Sequence, residues 1–290
     1  MMLSIEELNR KIVSDFLFKN ISKQSINASD ENVTPNLGIS LNSWDRLLDT
    51  NTLIDTIGIS PLCLIEGCAI ATNGKELREF LSKKGIVDPS IHAIDLSDVP
   101  KFYLSHGIEM SNVEFFQANA IDLSSLYDDS SVNLILQDGI LNCSHPITHP
   151  AIMKEAHRIL KPSGLVFAGF TELHLDSHKS LTYSEIASKY KVPVNCNATN
   201  LASLLNSIEE ISKEQFEELR SDLSGMTIKD KENRYAHVTK IGIFEFSVQL
   251  TQFQKLCKNI GFRIESVDIS RGLDDNNIVC DRYRMIVKKI

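Results

Sequence analysis

The chain has 290 residues, 42% of them hydrophobic, and 30 basic against 38 acidic side chains leave a formal net charge of -8. That length and apolar content suffice for one large core, or a core domain with an insertion, without metal or disulfide support. An acidic average surface repels a phosphate backbone and speaks against nucleic acid. No run is long and apolar enough to cross a bilayer, and the opening residues carry acids and no cleavage signal, so a cytoplasmic protein is expected.

In chain order, residues 1–55 read as an N-terminal helical extension, with one helix over 5–18 and a second helical segment around Trp44, Leu47 and Leu48. Neither carries enough apolar surface to make a core alone, so both should pack against the main body. Residues 56–172 form the α/β core. Short apolar runs at 62–65, 91–94, 113–116, 132–136 and 165–169 read as strands, and they alternate with helices at 74–84, 99–106 and 151–160. Lys161-Pro162-Ser163-Gly164 ends the last of these helices and turns the chain into the next strand. This alternation predicts an α/β fold with a Rossmann-like, doubly wound, mainly parallel sheet.

Residues 173–236 are polar and read as a helical insertion or lid, with helices at 182–190, 201–208 and 213–223. Residues 237–290 complete the core. A helix over 251–259 opens on Thr251 and Gln254, a capping-box pattern, and stops at Gly261. Strands at 262–269 and 282–288 then follow with no crossover helix between them, which predicts an antiparallel edge.

In an open α/β sheet ligands lie past the carboxyl ends of the strands, so the residues at those positions are the candidates for chemistry. After the first strand, Glu66-Gly67-Cys68-Ala69-Ile70-Ala71 offers small residues that let the backbone approach a ligand; a plain tight turn reads the same way. Asp95, followed by Leu96, closes the second strand where a ribose could donate its hydroxyls, although it can also cap the next helix, as Ser97 or Asp98 can. Asn119 both accepts and donates, which suits an adenine edge, and Ala120 leaves room for a backbone amide; Asp122 reads as a turn or cap residue. The fourth strand ends in Gln137-Asp138-Gly139-Ile140-Leu141-Asn142-Cys143, whose polar groups should line the crevice. The six cysteines form no CxxC pair and read as unpaired thiols, and the eight histidines form no HExxH, so no metal is expected. His145 and His149 lie four apart, but each precedes a proline, which argues against two ligands on one helical face.

Together these segments resemble the class I S-adenosylmethionine-dependent methyltransferases. The resemblance covers about residues 60–170. It is carried by Asn112-Val113-Glu114-Phe115-Phe116 through Leu123, and by Val132 to Gly139 through Glu155-Ala156-His157-Arg158-Ile159-Leu160-Lys161-Pro162-Ser163-Gly164-Leu165. Gly261-Phe262 is similar to the family's last helix-to-strand turn. The resemblance implies S-adenosyl-L-methionine as cofactor, with Gly67 and Ala69 on the glycine-rich loop, Asp95 and Leu96 at the ribose, Asn119 and Ala120 at the adenine, and Gln137 near the methionine part. The sequence departs from the pattern where Ala69 and Ala71 replace further glycines, where the first-strand acid is either displaced to Glu66 or absent, depending on where a one-residue gap is placed, and where Asn119 replaces an acid.

The implied activity is methyl transfer to a small or medium-sized molecule. The same scaffold also serves other sulfonium chemistry, such as intramolecular cyclisation, or non-catalytic binding. Asp138, Asn142, His145 and His149 are the candidate acid-base or orienting groups, each with a bland alternative as a loop or surface residue. Tyr183, Tyr190 and Tyr235 from the insertion could wall a substrate pocket, or simply pack. A homodimer is compatible with all of this.

Overall fold

The structure is a computed structural model that describes residues 44, 46–67, 72–96, 113–144, 146, 148–174, 180–182, 227–229, 235–238, 244–273 and 279–290. Its centre is built from short apolar segments that are buried on both faces once paired. β1 (Leu62–Glu66) lies between β2 (Ser90–Asp95) and β4 (Val132–Asp138), β3 (Glu114–Gln117) extends β2, and β5 (Leu160–Leu173) extends β4, all in parallel. β11 (Val279–Lys289) runs against both β5 and β10 (Phe262–Leu273). The order across the seven strands is β10-β11-β5-β4-β1-β2-β3. This is the mainly parallel, doubly wound sheet with an antiparallel closing strand that the alternation of elements predicts.

Successive strand residues point to opposite faces, so the sheet divides the core in two. Leu64, Ile135, Val166 and Phe170 meet α4 (His149–Ile159) and α5 (Leu250–Ile260) through Ile152, Ala156, Phe253 and Cys257. On the other face Cys63, Ile65, Leu136 and Phe167 meet α1 (Thr50–Ile57) and α2 (Thr72–Lys83) through Leu53, Ile57, Leu77 and Leu81. Trp44 is fully buried there and stacks on Phe167 with centroids 5.1 Å apart, so this part of the N-terminal extension does pack on the main body.

Several local expectations change. A short helical turn does lie at Trp44 and Arg46, with the Leu47 N–H bonded to Trp44 O at 3.0 Å, and a longer helix follows at Thr50–Ile57, where the Asp49 carboxylate accepts from the Thr52 N–H at 3.0 Å and starts it. Residues 161–164 do not simply turn the chain: they bulge out of β5, with Leu160 opposite Val132 and Leu165 opposite Leu134, and Ser163 takes a left-handed φ of 65°. The capping box at Thr251 does not form. α5 begins one residue earlier, and the Glu172 carboxylate of β5 accepts from the Leu250 N–H at 3.0 Å.

The described residues between 175 and 246 are short strands that the sequence did not signal: β6 (Ser180–Thr182) and β7 (Thr227–Lys229) pair in parallel, and β8 (Tyr235–Val238) and β9 (Phe244–Phe246) follow antiparallel in a second, four-stranded sheet. Strands of three or four residues are too short to show a period, and their pairing joins residues nearly fifty positions apart, which no local pattern records. The expected helices at 5–18, 99–106, 201–208 and 213–223, and residues 183–190 of another, lie outside the described residues.

Candidate cofactor site

The crevice forms at β1, where the strand order changes direction between β4 and β2. Gly67 leaves β1 with φ 71°, a left-handed conformation that glycine adopts at little cost, and its N–H bonds to Ile94 O at 3.0 Å. On the other side of β2, Ala118 N–H bonds to Asp95 O at 2.9 Å, and the Gln117 side chain donates to Leu96 O at 2.9 Å. The end of β2 is therefore gripped from both neighbouring strands. Asp95 is held at a fixed place while only 2% of its surface meets solvent.

A cavity of about 360 Å3 opens at this point. Gly67, Asp95, Leu96, Asn119 and Ala120 line it on the strand side, and Ile140, Cys143, Ser144, Thr148 and Ile152 close it from α3 (Ile140–Cys143) and α4. Asn119 forms a local turn in which its Oδ1 accepts from the Ile121 N–H at 3.2 Å, which holds the Asn119–Ala120 backbone against the cavity.

Glu66 and Gln137 stand side by side just beneath, on β1 and β4. Both are buried, and Gln137 Nε2 donates to Glu66 Oε2 at 2.7 Å. The Oε1 atom of each has no hydrogen-bond partner among the described residues. Burial pushes the Glu66 carboxyl up to about 8, the Gln137 bond opposes that rise, and the Glu155 charge adds to it.

The polar residues after β4 are placed differently from the expectation. The Asp138 carboxylate lies over Gly169 of β5, where a Cβ would collide with it, and it attracts the Arg284 guanidinium, which is directly opposite Gly169 on β11. Asn142 is stitched to backbone at both ends of its amide: Nδ2 donates to Phe246 O at 2.6 Å and Thr171 O at 2.8 Å, and Oδ1 accepts from Thr171 N–H at 2.8 Å. Neither lines the cavity. His149 is buried at the start of α4, with Pro150 tolerated in the first turn, and its Nε2 lies 2.8 Å from Leu141 O and 3.2 Å from Ser144 O, at the end of α3. Ala69, His145, Tyr183 and Tyr190 lie outside the described residues, and Tyr235 is described only as a backbone position on β8.

Sequence reading passed over two polar cavity residues, Ser144 and Thr148, although Ser144 directly follows the segment after β4 whose last residue, Cys143, also lines the cavity. It also missed a cluster at the tips of β5, β10 and β11. There Arg271 grips Asp281 through two bonds of 2.7 and 2.9 Å, and His174 Nε2 lies 2.8 Å from the same carboxylate. Residues more than a hundred positions apart in the chain carry no shared signal in sequence.

The strand order, the reversal of β11 and a crevice at the turning point of that order decide the architecture. This is a diverged class I methyltransferase-like fold. No protein-family model and no curated protein matches the chain. Among solved structures, it is similar to an S-adenosylmethionine-dependent methyltransferase from Methanosarcina mazei, at 18% identity and a TM-score of 0.48, over 84% of this chain and 99% of that one. It is also similar to the 1,6-didemethyltoxoflavin-N1-methyltransferase of Burkholderia thailandensis, at 13% identity and a TM-score of 0.48, over 100% and 92%. A third is the arsenic(III) S-adenosylmethionine methyltransferase of Chlamydomonas reinhardtii, at 14% identity and a TM-score of 0.46, over 94% and 73%. At such identities nothing about activity or substrate transfers to this chain, and its fold assignment rests on its own strand order.

The residues present fit the nucleoside half of S-adenosylmethionine. Asp95 places a carboxylate in the cavity wall for vicinal hydroxyls, Leu96, Ala118, Asn119 and Ala120 line the same cavity, and the Oε1 atoms of Glu66 and Gln137, which have no hydrogen-bond partner among the described residues, add buried acceptors nearby.

Proposed function

We propose that this chain is a cytoplasmic S-adenosylmethionine-dependent enzyme that transfers a methyl group to a small or medium-sized molecule. The observation that carries this reading is the cavity at the turning point of the sheet, with the Asp95 carboxylate in its wall and small residues on either side. S-adenosylmethionine supplies an electrophilic methyl on a sulfonium. The chain's own part is to bind, orient and exclude water. Asp95 accepts from the ribose hydroxyls, Asn119 and Ala120 present polar edges to the adenine, and Leu96 and Ile121 pack on its faces.

Asp138 and Asn142 act here as positioning residues. Asp138 sets the β4–β5–β11 spacing, and Asn142 holds the chain leading out of the second sheet against β5. The acid-base role falls to His145, which sits in sequence between the cavity residues Ser144 and Thr148, with Tyr183 as the insertion's candidate. The experiment is calorimetric titration of the full chain with S-adenosylmethionine and S-adenosylhomocysteine, followed by mass analysis of cofactor products. Binding of both, with S-adenosylhomocysteine formed only when an acceptor is present, is expected. Methylthioadenosine as product replaces methyl transfer by cyclisation chemistry, and a folded chain that binds neither overturns the reading.

A further inference from the structure

We propose that Glu66 reads the charge of the bound cofactor: it is uncharged in the empty site, gives up its proton when a sulfonium is seated above it, and so favours the cationic cofactor over its neutral, demethylated product. The proposal rests on the S-adenosylmethionine reading above and adds to it a residue that selects between two forms of the same ligand.

The geometry comes first. Glu66 keeps 1% of its surface exposed and Gln137 none. Among the described residues its one hydrogen bond comes from Gln137, and no described lysine, arginine or histidine lies within ion-pair distance of it. A buried carboxylate with one neutral donor and no countercharge is poorly solvated, so the proton stays on. The groups around it reinforce this. Glu155 of α4 faces it, with the Arg158 guanidinium tied to Glu155 at 2.6 Å and Asp129 at 2.7 Å. Tyr127, from the loop after β3, is a neutral phenol hydrogen-bonded to His92 of β2 at 2.9 Å, and Asp95 ends the neighbouring strand. None of these neighbours brings an unshared positive charge, and the carboxyl stands at about 8.

The next residue, Gly67, lines the cavity, one Cα step away. A unit positive charge about 6 Å from a buried carboxylate, at an effective dielectric of about 20, moves its proton equilibrium roughly a hundredfold. That is enough to carry Glu66 from protonated to ionised at neutral pH. The balance is simple: cation plus protonated protein gives an ion-paired complex and one proton released to solvent. By linkage, cation affinity rises with pH over the range in which the empty site holds the proton. S-adenosylhomocysteine, with a neutral thioether, draws no such response. An acid-amide pair that merely ties β1 to β4 gives the same structure with no proton release.

The test uses the full chain and three probes: S-adenosylmethionine, sinefungin, which carries an amine in place of the sulfonium, and S-adenosylhomocysteine. Calorimetry at pH 7 in two buffers of different ionisation enthalpy counts protons. Release is expected with the two cationic probes and not with the neutral one, and the cation-to-neutral affinity ratio should rise roughly fiftyfold from pH 6 to pH 9. Glu66→Gln, isosteric with the protonated acid, should remove both effects. The wild-type infrared band of a buried protonated carboxyl gives a second reading that needs no variant: it should shrink with S-adenosylmethionine and persist with S-adenosylhomocysteine. Binding without proton release, release that survives in Glu66→Gln, or an unchanged band overturns the proposal alone. Failure of all three probes to bind overturns the cofactor reading as well.

Discussion

At the scale of single residues, the ribose assignment makes the sharpest demand. In a variant that still folds, Asp95→Ala should weaken S-adenosylmethionine binding by about 1–3 kcal/mol, the usual cost of losing charge-assisted hydrogen bonds. Unchanged affinity in calorimetry refutes the role. His145→Ala should leave cofactor affinity unchanged and lower turnover by about a hundredfold or more, the range for a general base; equal turnover removes it from the mechanism. Gly67, Asp95, Leu96, Asn119 and Ala120 were legible as cavity residues because a strand's end fixes where its next residues stand. Asp138 and Asn142 were not, although they occupy the same kind of position. Where their side chains go depends on an absent side chain at Gly169 and on two carbonyls, Thr171 and Phe246, that the fold brings from far along the chain.

At the scale of elements, Asn142 ties β9 of the second sheet to the core: its amide makes one hydrogen bond to Phe246 O of β9 and two to Thr171 of β5. Asn142→Leu removes the bonds to Thr171 and to Phe246 O in a buried seam, at a cost of about 1–3 kcal/mol. Limited proteolysis should then cut within 175–243 faster than in wild type, before the core unfolds; an unchanged cleavage rate refutes this docking role. α5 offers a milder case. Glu172→Ala removes the acceptor of the Leu250 N–H and should lower stability by about 1 kcal/mol, read as a shift of the denaturant midpoint. The capping box at Thr251 was a fair local reading. It lost because β9 hands the chain to α5 alongside β5, where a carboxylate was already waiting.

At the scale of the molecule, two carboxyls set opposite pH dependences. Glu66 is raised from 4.5 to about 8 by burial, so the folded protein holds a proton that the unfolded chain releases. Its contribution to stability is whole below 4.5 and drains away as pH rises through 8. Asp281 is lowered from 3.8 to about 2, chiefly by its bonds from Arg271, and its contribution is present above 3.8 and lost as pH falls through 2. Thermal unfolding across pH should show a decline on the alkaline side that Glu66→Gln flattens, and an acid decline that Asp281→Asn flattens. Parallel curves for wild type and either variant refute that variant's assignment.

The sequence by itself determined the α/β class, the five parallel strands, the two helices that cover one face and the antiparallel closing strand. Each of these depends on apolar runs and stop signals within a dozen residues of one another, which is the range over which a chain's own periodicity is felt. Tertiary structure alone decided the second sheet, the neutral acid-amide pair of Glu66 and Gln137, and the Arg271–Asp281–His174 cluster. In all three the partners stand on different strands, and their energies come from burial and pairing that exist only after those strands have met.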